Sequence, residues 1–284
     1  MRKNNGFSIV ELLVAMVVSF IVISGLYSLL TSSVVNFGFS KASNNASDTN
    51  MRMSKFLDGM IFQAGFINYT RELGNQKFSA TSSHLDNTVN WRANQIVFVD
   101  GNNDLYIRYY GSSLGDDVDK SHSGVAAGLD VVTANGFIYD CGGQAVPNNR
   151  MVEARLSVTA QGLVCDYVII NTNTGAEAQG EQQVVLDPSI VAARFLVGNS
   201  TANVADMAFS ANPDDWSKVD VLVYSFISSQ SSSQRAVRTR TLTLDFFNFV
   251  HNDARYQYQI PQNQSSNVHR IYSNTVSLVN ARLL

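Results

Sequence analysis

A chain of 284 residues with 45% hydrophobic and only 15% charged residues is long enough for one anchor helix and one substantial globular domain, or two small ones. Its net charge of −3 excludes a generally basic nucleic-acid binder. Asn, Ser, Thr and Gly are plentiful, a composition that suits a turn-rich extracytoplasmic β protein better than a cytosolic helical enzyme.

The amino terminus reads MRKNNGFSIVELLVAMVVSFIVISGLYSLL. Arg2 and Lys3 precede a short polar leader ending at Gly6, and from Phe7 the chain is apolar apart from small hydroxyl residues, Gly25 and one carboxylate, Glu11. Leu12 to Leu30 carries no charge; as a helix it spans roughly 28 Å, about the thickness of a bilayer core. A cleavable secretory signal is shorter and ends at a small-residue cleavage site, whereas this run continues into Thr31, Ser32, Ser33, Val34 and Val35 without one. A plain single-span anchor accounts for the length and the basic flank, with Arg2 and Lys3 in the cytoplasm, but leaves Glu11 as an unexplained cost near one end of the span.

The string Gly6-Phe7-Ser8-Ile9-Val10-Glu11-Leu12 resembles the processing and assembly signal of type IV pilins and type II secretion pseudopilins. The resemblance implies that a prepilin peptidase cuts between Gly6 and Phe7, that the new Phe7 amine is methylated, and that Glu11 serves assembly. An isolated carboxylate in hydrocarbon is tolerated only when paired, and the implied partner is the Phe7 amine of a neighbouring subunit or of the same chain. Residues 1–6 are then a removable leader and 7–68 a helix that crosses the inner membrane over about 7–30. Residues 69–284 form a β-rich domain that lies in the periplasm and, after assembly, on a cell-surface pilus.

The helical signal persists beyond the span. Met53, Phe56, Leu57, Met60, Ile61 and Ala64 recur at the spacing of an amphipathic face, and the first proline is Pro147. Gly25, Gly38 and Gly59 are the points where such a helix bends most readily. Phe62-Gln63-Ala64-Gly65-Phe66 resembles the "A-G-aromatic" helix ending of PilW-type minor pilins. Gly74, Asn75, Ser82, Ser83 and Asn87 mark a polar connection. Gln95 to Val99 and Leu105 to Tyr110, joined by Asp100-Gly101-Asn102-Asn103-Asp104, read as a hairpin. The loop starts like a calcium loop, but Leu105 and Gly111 stand where an EF-hand needs Gly and Glu. Asp116, Asp117 and Asp119 read as a solvated acidic turn. Further strands are expected at Phe137 to Tyr139, Val152 to Thr159, Leu163 to Ile170, Gln183 to Leu186, Val219 to Ile227 and Arg235 to Phe249, with Ser228 to Ser233 as the hairpin tip between the last two. One long helix followed by many short strands gives an α+β fold, pilin-like, with antiparallel sheet packed on the helix.

Cys141 and Cys165 are the only cysteines. In the oxidising compartment that the amino terminus implies, two such thiols pair; a zinc site needs more ligands. They also extend the resemblance: Asp140-Cys141-Gly142-Gly143 and Gly162-Leu163-Val164-Cys165 are similar to the "C-x-G … L-x-C" region of PilW-type minor pilins. Ser189 to Gly198, Asp215 to Val221 and Thr275 to Arg282 resemble later segments of that family, with departures at Phe195, Val197, Val221, Val279 and Ala281. His84, His122, His251 and His269 sit in no catalytic signature, and no phosphate-binding glycine loop is present. Arg235, Arg238 and Arg240 read as an exposed strand face rather than a DNA-capture patch, because no aromatic interleaving or wider basic field accompanies them.

The resemblance implies a minor pilin that works by assembly rather than catalysis, with other minor pilins, the major pilin, the prepilin peptidase and the inner membrane as partners. It implies no cofactor, metal or small-molecule substrate. A J-type pseudopilin of type II secretion shares the leader and the long helix, and a membrane-anchored extracytoplasmic hydrolase is the alternative of another class. Adhesion, twitching motility and DNA uptake are consequences of the filament.

Overall fold

The computed structural model describes residues 8–67, 78–112, 138–147, 149–172, 174–199, 209–210, 213, 215–231, 242–247, 253–264 and 267–283. Its first element, α1 (Ile9–Gln63), is one helix of 55 residues, about 82 Å long. Neither Gly25, Gly38 nor Gly59 interrupts it. Ser8 takes an extended conformation and caps the start: its Oγ accepts from the Val10 N–H at 3.3 Å, while Glu11 Oε2 accepts from the Ser8 N–H at 3.2 Å. This reciprocal pair is a capping box, written in the sequence as S-x-x-E.

At the far end Ala64 and Gly65 turn the chain away. Gly65 has φ of +73°, and a Cβ there would lie 2.6 Å from Ile96 Cδ1, so no other residue fits without displacing its neighbour. The Gly65 N–H donates to the Arg108 carbonyl at 2.9 Å and the Tyr110 N–H to the Phe66 carbonyl at 2.8 Å, which carries the chain from helix onto sheet. Asn280 Nδ2, from the other end of the sequence, donates to the carbonyls of Phe62 and Ala64, each at 3.1 Å, satisfying groups that a helix end leaves bare. The helix therefore stops at Gln63, short of Asn68.

A small hairpin follows, β1 (Thr81–Ser82) with β2 (Asn90–Trp91). Then β3 (Val97–Val99), β4 (Leu105–Tyr110), β5 (Arg150–Thr159), β6 (Gly162–Asn171) and β7 (Glu177–Asp187) form a five-stranded antiparallel meander. The expected hairpin is there, with Val97 opposite Ile107 across the 100–104 loop. A second sheet has the order β13-β10-β8-β9, from β8 (Ile190–Gly198), β9 (Phe209–Ser210), β10 (Val221–Gln230) and β13 (Val268–Ser277). A second small hairpin pairs β11 (Thr243–Asp245) with β12 (Gln257–Gln259).

Each sheet packs on its inner face and over part of its outer face. Alternate residues of β4 to β6, among them Ile107, Tyr109, Ala154 and Leu163, meet Phe195, Leu222, Tyr224 and Phe226 of the second sheet in one core with Met53, Leu57, Met60, Ile61 and Ala64 of α1. The amphipathic stripe read from the sequence is thus the docking face of the helix, with Phe56 packed at its margin. Burying four such large apolar side chains contributes on the order of 8 kcal/mol. On the outer face of the meander Val89 and Trp91 pack on Tyr106, and on that of the second sheet Phe246 and Phe247 pack on Leu196, Val223 and Ile227.

Several strand expectations change. Ser228 and Ser229 lie inside β10, whose two edges are taken by antiparallel partners, β8 before it and β13 some forty residues on. The serine tract is therefore not the tip of a hairpin between consecutive long strands. Of Arg235 to Phe249 only Thr243–Asp245 is strand among the described residues, and 235–241 and 248–249 lie outside them. Tyr139 makes a single bridge to Ala145 rather than a strand, and Phe137 lies outside the described residues. Gln183 to Leu186 is the end of the longer β7.

Candidate assembly interface

The domain covers only the carboxyl half of α1. From Ile9 to Phe39 the large apolar side chains are open, Ile9 at 80%, Phe20 at 74% and Phe37 at 73% exposure, and the helix is long and apolar enough to cross a membrane. An apolar surface of this extent is stable only in lipid or against other helices. Three of the hydroxyls in it bond to their own helix: Ser19 Oγ donates to the Ala15 carbonyl at 2.8 Å, Ser24 Oγ to Ile21 at 2.9 Å and Thr31 Oγ1 to Tyr27 at 2.9 Å. They need no water, as a hydrocarbon setting demands.

Glu11 stands in the first turn of this exposed half. Among the described residues its partner is the Ser8 N–H, and its negative charge sits at the positive end of the helix dipole. Gly6 and Phe7, the expected cleavage and methylation positions, lie outside the described residues. The sequence reading missed Ser8 as the cap, although the S-x-x-E spacing that spells it is part of the same motif.

Polar clamps hold the inner half of the helix to the domain. Asp58 Oδ1 accepts from Tyr224 Oη at 2.7 Å and from Asn274 Nδ2 at 2.9 Å, and Asn274 also reaches Asp58 Oδ2 at 3.2 Å. Burial and the Asp58 carboxylate hold the Tyr224 phenol protonated, raising its pKa. Arg52 lies 3.4 Å from Asp187 at the end of β7. Deeper in the meander Arg108 is 1% exposed, its guanidinium stacked between the rings of Phe78 and Trp91 at 5.0 and 4.7 Å from their centroids. It donates to the carbonyls of Ser79 and Arg92 at 2.8 Å and to that of Gln95. Burial lowers its pKa to about 10. Opposite it in register, Glu153 accepts from Trp91 Nε1 at 3.0 Å, the His84 N–H at 3.2 Å and the Ser83 hydroxyl. Together they bind the first small hairpin to the meander.

Cys141 and Cys165 are joined in a disulfide, with Cα atoms 6.2 Å apart. The bond ties the 138–147 loop to β6, and both sulfurs are buried beside Met60 and Tyr167. The Asp100–Asp104 loop closes on itself: Asp100 Oδ1 accepts from the Asn102 N–H at 2.9 Å and the Asp104 N–H at 2.8 Å. Among the described residues no cluster of three His, Cys, Asp or Glu side chains suits a metal. Asp116, Asp117, Asp119, His122, His251 and the three arginines 235, 238 and 240 lie outside the described residues. His84 and His269 stand on separate elements, the loop after β1 and β13.

Among solved structures, the type IV-like pilin TTHA1219 from Thermus thermophilus is similar to this chain, with a TM-score of 0.41 and 10% identity over 83% of this chain and 97% of that one. No curated protein matches in sequence. Residues 1–27 match the family described as the prokaryotic N-terminal methylation motif. That motif and the uncovered apolar helix together support anchoring of the amino terminus in a membrane.

Proposed function

We propose that this protein is a minor pilin of the PilW type, which joins other minor pilins in an initiating or tip complex that promotes assembly of a type IV pilus. The observation that carries the reading is the methylation motif placed at the capped end of a helix whose first thirty or so residues no part of the domain covers. Cleavage between Gly6 and Phe7 leaves a positive amine one residue before the Ser8 cap. Glu11 has one oxygen engaged by its own backbone, and a carboxylate accepts several bonds, so the second oxygen meets the amine of an adjacent subunit. The pair neutralises both charges inside the hydrocarbon and fixes the stagger between neighbouring helices. The domain, held to the helix by the core and by Asp58, then chooses the partners.

Replacing Glu11 by Ala in the full chain tests this. Membrane insertion is expected to persist, and recovery in complexes with other pilins to fall about tenfold or more, the consequence of an unpaired buried charge. Normal incorporation would reduce Glu11 to a helix-capping residue and remove the basis of the assembly role. Co-purification with pilus proteins rather than type II secretion components separates the pilus reading from a J-type pseudopilin.

A further inference from the structure

Between the carboxyl half of α1 and β13 runs an open groove of about 840 Å³. Its helix wall includes Phe39, Ser43, Ser47 and Asn50, and its other wall is the five consecutive residues Val268 to Tyr272 together with Leu244 of β11. Five successive residues point side chains to both faces, so the groove meets the strand along its edge. That edge is open: among the described residues β13 pairs only with β10. The Leu278 N–H donates to the Asp220 carbonyl at 2.7 Å, and the register from Val221 opposite Ser277 to Gln230 opposite Val268 has no shift. Antiparallel alternation therefore turns the main-chain groups of even-numbered β13 residues toward β10 and those of His269, Ile271 and Ser273 outward. The corresponding edge of the meander differs, since β7 shifts register against β6 at three points, the irregularity by which natural edges are blunted. The β13 edge is left regular.

Two side-chain atoms in the groove lack partners among the described residues. Asn50 is 7% exposed, and its Oδ1 has no hydrogen-bond partner among the described residues; nor has His269 Nε2. Burial lowers the pKa of His269, and its Nδ1 lies 3.2 Å from the Asn267 carbonyl. A carbonyl only accepts, so the proton resides on Nδ1 and Nε2 offers a lone pair. An unsatisfied buried acceptor is destabilising, and both call for N–H or O–H donors. Arg270 uses one N–H on Ser43 Oγ at 2.5 Å and presents the rest of a cation at the rim. A lipid tail would use the apolar walls and leave the acceptors bare, and a small anion would ignore the strand edge.

We propose that the groove between α1 and β13 docks one extended strand of a partner polypeptide, which pairs with the outward main chain of His269 and Ile271 and sets an acidic side chain beside Arg270. The inference rests on the reading of this chain as an assembly subunit and names the surface by which its domain engages a partner.

The test places a photoreactive residue at Ser47 or, separately, at Val17 of the exposed half-helix, in the full chain in its native membrane, with adducts mapped by mass spectrometry. The expected Ser47 adduct lies on an extended segment of another polypeptide. Adding Ile271→Pro, which removes an outward N–H and keeps the ladder to β10, should lower its yield about tenfold, the effect of one lost buried hydrogen bond, with the Val17 adduct unchanged. A Val17 protein adduct without one at Ser47, a Ser47 adduct on lipid, or a Ser47 yield indifferent to Ile271→Pro overturns the groove while leaving assembly intact. Absence of protein adducts at both positions overturns the assembly reading and the groove with it.

Discussion

Tyr224→Phe deletes one hydroxyl from the clamp that fastens α1 to the second sheet. That hydroxyl donates to Asp58 Oδ1 at 2.7 Å and lies 3.3 Å from the Ser54 carbonyl, and a hydrogen bond to a charged acceptor is worth about 1.5–3 kcal/mol. The substitution should cost about 2 kcal/mol. Asp58→Ala removes the acceptor shared by Tyr224 and Asn274 and leaves the buried phenol only its longer bond to the Ser54 carbonyl, for about 3 kcal/mol. Because both changes break the same network, the double variant should also cost about 3 kcal/mol rather than about 5, a coupling near 2 kcal/mol. Urea unfolding of the detergent-solubilised full chain, followed by the fluorescence of the buried Trp91 and Trp216, measures all three. A Tyr224→Phe cost below about 0.5 kcal/mol, or strict additivity, would refute the clamp.

Arg108→Lys keeps the charge but loses the planar fork that reaches three carbonyls between two rings, and the same unfolding assay should show a loss of about 3 kcal/mol; a loss under about 1 kcal/mol would mean that the stacking is dispensable. Burial, helped by the charge of Asp100, raises the Asp104 pKa from 3.8 to about 6. A carboxyl with a raised folded pKa stabilises the fold when protonated, fully below about pH 4, and that contribution is lost as the pH rises through about 6. The shift corresponds to about 3 kcal/mol undiminished and about 1 kcal/mol after solvent screening of this half-buried group. Asp104→Asn should therefore gain about 1 kcal/mol over wild type at pH 7 and nothing at pH 4, and an equal difference at the two pH values would contradict the assignment. Reducing the Cys141–Cys165 bond, which spans 24 positions, should cost about 3–4 kcal/mol in the chain-entropy model; unchanged unfolding in dithiothreitol would show that the loop is held by packing alone.

Local pattern made much of this fold legible. The helix declared itself through an uncharged run followed by Met53, Leu57, Met60 and Ile61 at helical spacing, and β5 and β6 through long β-rich runs. β13 escaped because Val268-His269-Arg270-Ile271-Tyr272 has the mixed polarity of a half-exposed edge strand, and its pairing with β10 crosses some forty residues. No local signal encodes a contact of that range. Nothing local marks Arg108 for burial, since its carbonyl partners and flanking rings come from another segment, residues 78–95. Ser8 was visible as a spacing and absorbed into a processing motif, while Asp58 gave no sign until Tyr224 and Asn274 were brought to it by the sheet.

A processed assembly helix and an unprocessed membrane anchor differ in the first residue of the mature chain. Terminal-peptide and intact-mass analysis of the full chain, purified from cells that contain a prepilin peptidase, reads that residue directly. A mature protein that begins at Phe7 with a methylated amine is expected; retention of Met1, or a first residue beyond Leu30, would overturn the assembly-helix reading.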